Sequence, residues 1–401
     1  MIQRHFVFIA ALAMICSTAI SKPKPAPETN FFPVMAWNYV PADAAILKKM
    51  QECGLTVAGF VPVGGLDLCK ANGLKAVVWD PRTMNYDWSK VDGKIARSNV
   101  VSLVKQVRKH PAVYGFYLRD EPGPGYFPGL AKVSDAIHEL APGKWAYINL
   151  FPNYADQNQL EGRSYEKYLD EFVEKCRPTV LSYDHYALLD NGTLRDGYWR
   201  NLEQMRSAAR TNHLPFWQIV LSAAHFNYRE ASAADLRFEV YSSLAYGARG
   251  IAYFTYFTST TGNYRMAPID QFGNPTATWG YMQHVNLQIQ KLAPTLLQLT
   301  SDDVYHCANI PAGSHGPGTN DLLAGVDGGD FMAGDFTHAD KSRYVFIVNK
   351  DVIKSAPCFP RFRIAPKRVQ KLSAYTGGLI EFSGEDSWVA PGQGVLLKLG
   401  F

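Results

Sequence analysis

From Phe32 onward, short apolar segments alternate with amphipathic segments at a steady pace. Short apolar runs predict strands, and apolar residues at spacings of three and four predict helices. Eight strands are predicted, at Pro33–Trp37, Thr56–Val61, Ala76–Asp80, Val113–Leu118, Trp145–Leu150, Val180–Tyr183, Phe216–Leu221 and Gly250–Phe254. Helices are predicted between them, among them Ala42–Cys53, Val100–Lys109, Gly129–Leu140, Tyr165–Lys175, Tyr198–Thr211 and Ala233–Tyr246.

This alternation favours parallel strands joined by right-handed crossovers. Eight repeats over roughly 250 residues are typical of a closed (β/α)8 barrel, the α/β fold called a TIM barrel. A dinucleotide-binding fold is not expected, because no Gly-x-Gly-x-x-Gly turn follows the first strand.

The pattern changes after a turn-rich break at Asp270–Pro275 and a last predicted helix at Thr278–Leu299. Short alternating runs such as Tyr344–Val348 and Gly394–Leu399 follow, separated by Gly, Pro and Asp. Such runs are typical of an antiparallel β-sandwich. The sequence therefore predicts a catalytic barrel at residues 32–300 and a supporting β-sandwich domain at 301–401.

The first 21 residues resemble an export signal, with Arg4 and His5 before an apolar run and small residues at Ala19 and Ser21. The run is too short to cross a bilayer comfortably, so stable membrane insertion is not expected. Residues 22–31, rich in proline, are predicted to be a flexible leader. We therefore expect a secreted or periplasmic protein.

Composition narrows the possible partners. The formal net charge is only +4 and no basic run is interleaved with aromatic residues, so nucleic acid is not an expected partner. Beyond the signal, five cysteines remain, of which Cys307 and Cys358 are the pair most compatible with a disulfide. No spacing matches a zinc site, so neither a metal nor a cofactor is predicted. The oligomeric state does not follow from the sequence.

The segment Tyr114–Pro122 concentrates charge at one end of a buried strand, because an aromatic, apolar run is followed by Arg119, Asp120 and Glu121. Ligand sites of parallel sheets form at the carboxyl ends of the strands. Asp120 and Glu121 are therefore the first candidates for chemistry. A structural ion pair of Arg119 with Asp120 is the alternative.

The other strand ends add carboxylates, amides, tyrosines and indoles, a mixture suited to sugars and poorly suited to phosphates. Asp184 is a second catalytic candidate, because a carboxylate after an apolar strand must find partners or stay hydrated. The predicted substrate-binding residues are Trp37, Asn38, Asn149, Asn153, His185, Tyr186, Trp217, Gln218, Tyr253 and Tyr256. The tryptophans and tyrosines are equally compatible with packing, and His185 with a structural role.

The segment Gly115–Pro122 resembles the fourth-strand Asn-Glu-Pro signature of clan A, a large group of retaining (β/α)8 glycoside hydrolases, with Asp120 in the Asn position. Segments 149–153, 183–186 and 269–276 are similar to exported β-galactosidase-like barrel proteins. The resemblance implies that Glu121 is the general acid and Asp120 its sugar-binding neighbour. The resemblance extends over the predicted barrel.

The chain departs from this clan at the seventh strand, where Gln218 stands in place of the nucleophilic Glu. The nearest acids, Glu230 and Glu239, are interpreted as structural. Asp184 could be a general base about 6.5–9.5 Å from Glu121, or a nucleophile at about 5–5.5 Å. Alternatively, Asp120 and Glu121 resemble the Asp-Glu pair of substrate-assisted hexosaminidases.

The expected function is hydrolysis of O-glycosidic bonds in an oligo- or polysaccharide, with Glu121 as general acid. The alternative is a carbohydrate-binding protein that keeps a glycosidase scaffold without its activity. A binder would retain affinity for glycans but release no reducing sugar.

Overall fold

The structure is a computed structural model that describes residues 31–401. The predicted signal peptide and all of the predicted leader except Phe31 lie outside the described residues. Eight parallel strands close into a barrel in the order of the chain. They are β1 (Val34–Ala36), β2 (Val57–Val61), β3 (Lys75–Val78), β4 (Val113–Asp120), β5 (Trp145–Leu150), β6 (Leu181–Asp184), β7 (Phe216–Leu221) and β8 (Ile251–Phe254).

Helices surround the barrel and follow its strands. They are α1 (Ala44–Glu52), α2 (Leu66–Ala71), α3 (Pro81–Met84), α4 (Gly93–Val107), α5 (Phe127–Leu140), α6 (Tyr165–Cys176), α7 (Tyr198–Thr211), α8 (Ala233–Ala245) and α9 (Ala277–Leu296). Among residues 31–401, no helix combines the length and apolar character needed to cross a bilayer. The predicted (β/α)8 fold is confirmed.

Side-chain caps fix where several helices begin. The Asp92 carboxylate accepts hydrogen bonds from the backbone N–H groups of Lys94 and Ile95, and Ser232 forms a reciprocal capping box with Asp235. These contacts satisfy N–H groups that have no partner within the helix. The helices therefore start at defined points beyond the barrel rim.

The barrel interior is filled mainly by aromatic and branched side chains, including Met35, Val57, Val77, Tyr147 and Ile219. On each strand these alternate with residues that pack outward against the helices. The outward layer of β6 contains Tyr183, and that of β7 contains Val220. Because both faces of each strand are buried, only the orientation at its carboxyl end decides which side chains reach a ligand.

The carboxyl-terminal region is the predicted antiparallel β-sandwich. Its strands are β9 (Leu299–His306), β10 (Leu323–Asp327), β11 (Phe331–His338), β12 (Arg343–Asn349), β13 (Ala356–Pro357), β14 (Phe359–Phe362), β15 (Arg368–Leu372), β16 (Leu379–Glu381), β17 (Trp388–Val389) and β18 (Gly394–Gly400). Six of them form one sheet, and β10–β14 and β13–β17 form two small sheets.

Successive side chains of β12 point to opposite faces of the sheet, and this alternation shows how the sheet packs against the barrel. Tyr344, Phe346 and Val348 belong to the core shared with the barrel helices, while Val345 and Ile347 face the sandwich core. The Phe346 ring meets Tyr241 of α8 edge-on at 5.8 Å. The sheet thus covers the helix layer on the β7 side.

Cys307 and Cys358 are free thiols, so the disulfide considered from the sequence is not formed. Both lie at the sandwich core, where Cys358 is buried and Cys307 packs against the cluster. They therefore act as small apolar side chains in this domain.

Candidate active site

Three carboxyl groups meet at the carboxyl end of the barrel, two from the end of β4 and one from β6. Asn149 at the end of β5 lies between them, and its Nδ2 donates to Asp184 Oδ1 at 2.8 Å and to Asp120 Oδ1 at 3.1 Å. The Glu121 carboxyl lies close enough to that of Asp184 for each group to affect the pKa of the other. We call Asp120, Glu121, Asn149 and Asp184 the carboxylate arc.

A buried chain of hydrogen bonds orients Asn149. Ser182 Oγ donates to Asn149 Oδ1 at 3.1 Å and lies 2.8 Å from the Tyr147 hydroxyl. Since Ser182 gives its proton to Asn149, Tyr147 is the donor to Ser182. The amide of Asn149 is therefore fixed with its NH₂ group toward the carboxylates.

The backbone of β4 is irregular where it presents its acids. The β4–β5 pairing shifts register between Tyr117 and Arg119, so that Asp120 pairs with Asn149. Arg119 is exposed and its guanidinium lies 5.6 Å from the Tyr126 ring centroid. Such a shift breaks the simple alternation of the strand and turns Asp120 into the barrel. The alternative ion pair of Arg119 with Asp120 is not formed.

Glu121 has a backbone φ of +43°, in the left-handed region that residues other than Gly rarely adopt. Its N–H donates to the Asn149 carbonyl at 2.9 Å, and Pro122 follows. A strained non-glycine residue held by surrounding contacts is characteristic of functional sites. Here the strain places the Glu121 carboxyl against Asp184 instead of bulk water.

Burial raises the pKa of every acid in the carboxylate arc, and a neighbouring carboxylate adds to the rise for Glu121 and Asp184. Burial, reinforced by the charge of Asp120, raises the pKa of Glu121 to about 7. Burial raises the pKa of Asp120 to about 6, although the Asn149 amide opposes the shift. The pKa of fully buried Asp184 is raised well above its usual range by burial and by Glu121. The cluster therefore retains protons near neutral pH, where ordinary carboxyl groups are ionised.

Aromatic side chains face the carboxylates from the other side of the barrel mouth. They are Trp37 of the β1 end, Phe60 of β2 and Phe254 of β8, which we call the aromatic arc. Trp37 contacts Phe60 at a centroid distance of 5.0 Å and Phe254 at 5.7 Å. Half-buried Phe254 also stacks on Tyr186 at 5.5 Å.

Tyr186 connects the two arcs. Its ring stacks on Phe254 of the aromatic arc, and its pKa is raised well above the usual value by burial and then by the charges of Asp184 and Asp120. The mouth thus combines acids, one phenol and aromatic faces, which together can bind hydroxyl groups and stack on a sugar ring.

Of the predicted site residues, Asp120, Glu121, Asn149, Asp184, Trp37 and Tyr186 are brought together. Asn38 lies near the mouth, but its Oδ1 accepts from Thr255 Oγ1 and Tyr256 N–H and its Nδ2 donates to the Tyr39 carbonyl. These bonds join the β1 and β8 loops. The Asn38 amide is thereby used within the protein.

Asn153 and His185 point toward α7. Asn153 Nδ2 donates to Gly197 O and Gln204 Oε1, and His185 Nδ1 lies 3.0 Å from Asn201 Oδ1. Burial lowers the pKa of His185 to about 4, so it is neutral at neutral pH. Both residues fix the β5 and β6 loops to α7.

The structure does not bring Gln218, Tyr253 or Tyr256 to the carboxylates. Gln218 is fully buried and its Nε2 donates to the Ile219 carbonyl. The Tyr253 hydroxyl donates to Asn286 of α9, and that of Tyr256 accepts from the Trp279 indole. All three side chains belong to the layer between strands and helices or to its edge, because the neighbouring residues of the same strands face inward.

Trp217 faces inward but lies at the amino end of the barrel. It is fully buried, and its ring lies 4.7 Å from that of Trp145. Both rings line a cavity of about 590 Å³ that also contacts Arg249 and Ser301. The prediction that Trp217 binds substrate with the strand-end residues therefore does not fit its position.

Two residues near the carboxylates were missed by the sequence interpretation. Phe254 immediately follows the predicted Tyr253 and takes the inward position. Tyr154 lies in the loop after β5, and burial together with the charge of Asp184 raises its pKa. The Arg195 guanidinium lies over the Tyr154 ring, 4.4 Å from the ring centroid. No signal marked Tyr154, because it lies in a loop beyond the strand.

Within residues 31–401, no cluster of three or more His, Cys, Asp or Glu side chains has a metal-binding arrangement. The pKa pattern instead suits proton transfer, with Glu121 able to hold a proton at neutral pH and release it to a bound group.

No family model matches the sequence, and no curated protein sequence matches it. Solved structures do. A glycoside hydrolase family 5 protein from Bacteroides vulgatus aligns with a TM-score of 0.59 at 12% identity, covering 92% of this chain and 89% of that one. A structure titled glycoside hydrolase aligns with a TM-score of 0.56 at 11% identity, covering 92% and 93%.

A β-galactosidase from the psychrophile Marinomonas ef1 aligns with a TM-score of 0.51 at 11% identity, over 65% of this chain. This chain spans 60% of that β-galactosidase's length. At such identities the likeness concerns the fold. The chain therefore shares the (β/α)8 scaffold of glycoside hydrolases, as its resemblance to clan A implied.

Proposed function

We propose that this protein is a glycoside hydrolase in which Glu121 is the general acid. The observation that carries the proposal is the Glu121 carboxyl itself, which lies near Asp184 at the carboxyl end of the barrel. Its strained backbone is held there by the hydrogen bond from the Glu121 N–H to the Asn149 carbonyl. With a pKa near 7, this group is partly protonated at neutral pH. That is the state needed to protonate a departing glycosidic oxygen.

The surroundings of Glu121 support a carbohydrate substrate. The aromatic arc offers ring faces for the apolar side of a pyranose, while the carboxylate arc and Tyr186 offer hydrogen-bond partners for hydroxyl groups. The shared scaffold of solved glycoside hydrolases is consistent with this chemistry, although fold alone does not assign a function.

The test is release of reducing sugar in a broad glycan screen. Wild-type protein should cleave at least one glycoside, and Glu121→Gln should lower kcat/KM on it by about 10²- to 10⁴-fold, the usual contribution of a general acid. Glu230→Gln is the matched control, because Glu230 pairs with Arg265 at 2.9 Å on the surface and should leave kcat/KM unchanged. A Glu121→Gln variant with full activity would rule out the assignment.

A non-catalytic carbohydrate-binding protein is the second candidate, and one observation favours it. The inward positions of β7 are Trp217 and Ile219, and the alternation continues to Leu221, so this strand presents no acid at the mouth. Glycan binding with no product release by the wild-type protein would favour this reading over the hydrolase.

We also infer export, on the basis of the first 21 residues. Cleavage should leave a mature protein that begins shortly after Ser21, which amino-terminal sequencing of protein recovered from outside the cytoplasm would detect. Recovery with Met1 intact would contradict export by cleavage.

A further inference from the structure

Arg195 lies in the loop after β6, and its charge has no acidic partner. Arginines elsewhere at this end of the barrel are neutralised. Arg82, after β3, pairs with Asp80 at 2.8 Å, and Arg265, after β8, pairs with Glu230 at 2.9 Å. Arg195 forms no ion pair with any acid of residues 31–401. A half-buried cation without a counter-charge is unfavourable unless a ligand supplies one.

The loop after β6 returns Arg195 to the end of that strand. The Arg195 backbone N–H donates to the Ala187 carbonyl at 2.8 Å, which closes the loop 187–195. The Arg195 Nε donates to the Tyr186 carbonyl at 3.3 Å. Tyr186 is two residues beyond Asp184, and two residues of chain span at most about 7 Å. The guanidinium is therefore within reach of a saccharide bound against the carboxylate arc.

Two tyrosine rings fix the orientation of the guanidinium. Its Cζ lies 4.4 Å from the Tyr154 ring centroid and 5.4 Å from that of Tyr228, and its Nη2 donates to the Tyr228 hydroxyl at 3.0 Å. Ring faces attract a cation and restrict its movement. The Tyr228 ring meets Tyr186 edge-on at 5.6 Å, and Tyr186 stacks on Phe254. Arg195 thus belongs to a wall that continues into the aromatic arc.

Most of the hydrogen-bonding capacity of Arg195 is unused by the protein. An arginine side chain has five N–H groups, and the bonds to Tyr186 and Tyr228 occupy two of them. Two N–H groups on Nη1 and one on Nη2 remain, and neither nitrogen is among the buried atoms that lack a partner. Adjacent N–H groups on Nη1 and Nη2 match the two oxygens of a carboxylate.

We propose, on the basis of the hydrolase function above, that the substrate is an acidic glycan and that Arg195 binds the carboxylate of a uronic acid residue within it. The carboxylate supplies the missing counter-charge and accepts from the free end of the guanidinium. The aromatic arc packs against the apolar side of a sugar ring. Arg195 is in this account a substrate-binding residue that determines specificity.

The carboxylate arc does not exclude an anionic substrate, because its acids retain protons near neutral pH. Burial raises the pKa of Glu121 to about 7 and that of Asp120 to about 6. An uncharged sugar, in contrast, would exclude water from Arg195 without supplying a counter-charge. The site therefore discriminates against neutral glycans by leaving a cation unpaired.

The experiment compares acidic glycans with the same glycans after methyl esterification, which removes the charge and preserves the linkages. Polygalacturonate, polymannuronate and glucuronoxylan are the probes, and release of reducing sugar at mildly acidic pH is the readout. At least one acidic form should be cleaved with a kcat/KM about 100-fold above that of its ester, as expected for a charge-assisted pair. Equal or faster cleavage of the ester would overturn the proposal.

Arg195→Gln tests the residue itself. The ratio of kcat/KM on the acidic form to kcat/KM on the ester should fall about 100-fold, chiefly through a higher KM on the acidic form. Both values come from one preparation, so a partly unfolded variant leaves the ratio unchanged. Arg195→Lys keeps the charge without the fork and should restore about tenfold of the loss. An equal loss on both forms would assign Arg195 a structural role and overturn the proposal.

Arg265→Gln is the matched control. It removes a cation from the same end of the barrel, but one that Glu230 already neutralises. The ratio between the acidic and esterified forms should therefore stay at the wild-type value. A fall equal to that of Arg195→Gln would show that the preference follows net charge and not the Arg195 contact.

The outcomes separate this inference from the proposed function. Cleavage of neutral glycans alone, dependent on Glu121, overturns the inference and leaves the hydrolase intact. A preference for a sulfated galactan over its desulfated form, with none for uronic acids, overturns the assignment of a carboxylate. No cleavage of any acidic or neutral glycan removes the hydrolase proposal itself.

Discussion

The carboxylate arc and the aromatic arc face each other across one barrel mouth, yet they are built by different means. The carboxylate arc is held by hydrogen bonds, because the Asn149 amide links Asp120 to Asp184 and the Asn149 carbonyl accepts from the Glu121 N–H. The aromatic arc is held by packing of Trp37 with Phe60 and Phe254. The carboxylate arc therefore presents ionisable groups, and the aromatic arc presents a packed apolar surface.

This difference has a consequence for energetics. Buried acids close to one another are unfavourable when ionised, so the carboxylate arc reduces stability in return for perturbed proton affinities. The aromatic arc buries ring surface and adds stability through packing. Substitutions in the first arc should therefore act on rate and pH dependence, and those in the second on substrate affinity.

Among substitutions that leave the three acids in place, the largest effect is expected at Asn149. Asn149→Ala removes the amide that orients two carboxylates, and loss of about 2–3 kcal/mol of charge-assisted hydrogen bonding corresponds to roughly 100-fold in kcat/KM. Asn153→Ala is the control just beyond the same strand, because its amide bonds toward α7. Equal losses in both variants would show that the Asn149 effect is not local to the carboxylate arc.

An intermediate effect is expected at Phe254. Phe254→Ala removes a ring face worth about 1–1.5 kcal/mol, which should raise KM about tenfold with a smaller change in kcat. Trp217→Phe serves as a control at the amino end of the barrel and should leave KM unaltered. Steady-state kinetics on the same substrate would decide, and a response only in kcat would contradict a stacking role.

A further effect is on stability and depends on pH. The pKa of Asp184 is raised in the folded protein, so its contribution to stability is greatest at low pH and declines as pH rises through the folded pKa. Asp184→Asn removes this decline. The variant should be more stable than wild type by about 1–3 kcal/mol at pH 8 and should show little gain at pH 4, as measured by urea unfolding. A loss of stability at pH 8 would mean that the Asp184 charge is favourable in the fold.

Most of the fold could be predicted from the sequence. Eight apolar runs and the helices between them predicted the barrel because a parallel strand buried on both faces is continuously hydrophobic. Because these strands are continuously hydrophobic, their sequences do not show which side chains face into the barrel. The apolar segments 216–219 and 253–254 do not indicate which of two neighbouring residues faces inward. Gln218 was therefore assigned to the barrel mouth although it faces outward, and Tyr253 was assigned there instead of Phe254.

The acids were found for a different reason. Glu121 and Asp184 interrupt apolar runs at strand ends, where an ionisable group is unusual enough to be noticed. The shift in register between Tyr117 and Arg119, which turns Asp120 inward, depends on pairing with β5 and leaves no pattern in the sequence. The proximity of Glu121 to Asp184 depends on the closure of the barrel. Local sequence therefore identified the residues but not their spacing.

The central claim is that Glu121 donates the proton to the leaving group, and dependence on the leaving group tests it most directly. A dinitrophenolate departs without protonation, whereas an alkoxide requires it. In the first turnover, Glu121→Gln should release dinitrophenolate from a dinitrophenyl glycoside at nearly the wild-type rate, and should cleave the matching alkyl glycoside at least 10³-fold more slowly. Equal losses on both substrates would contradict the assignment of Glu121 as the general acid.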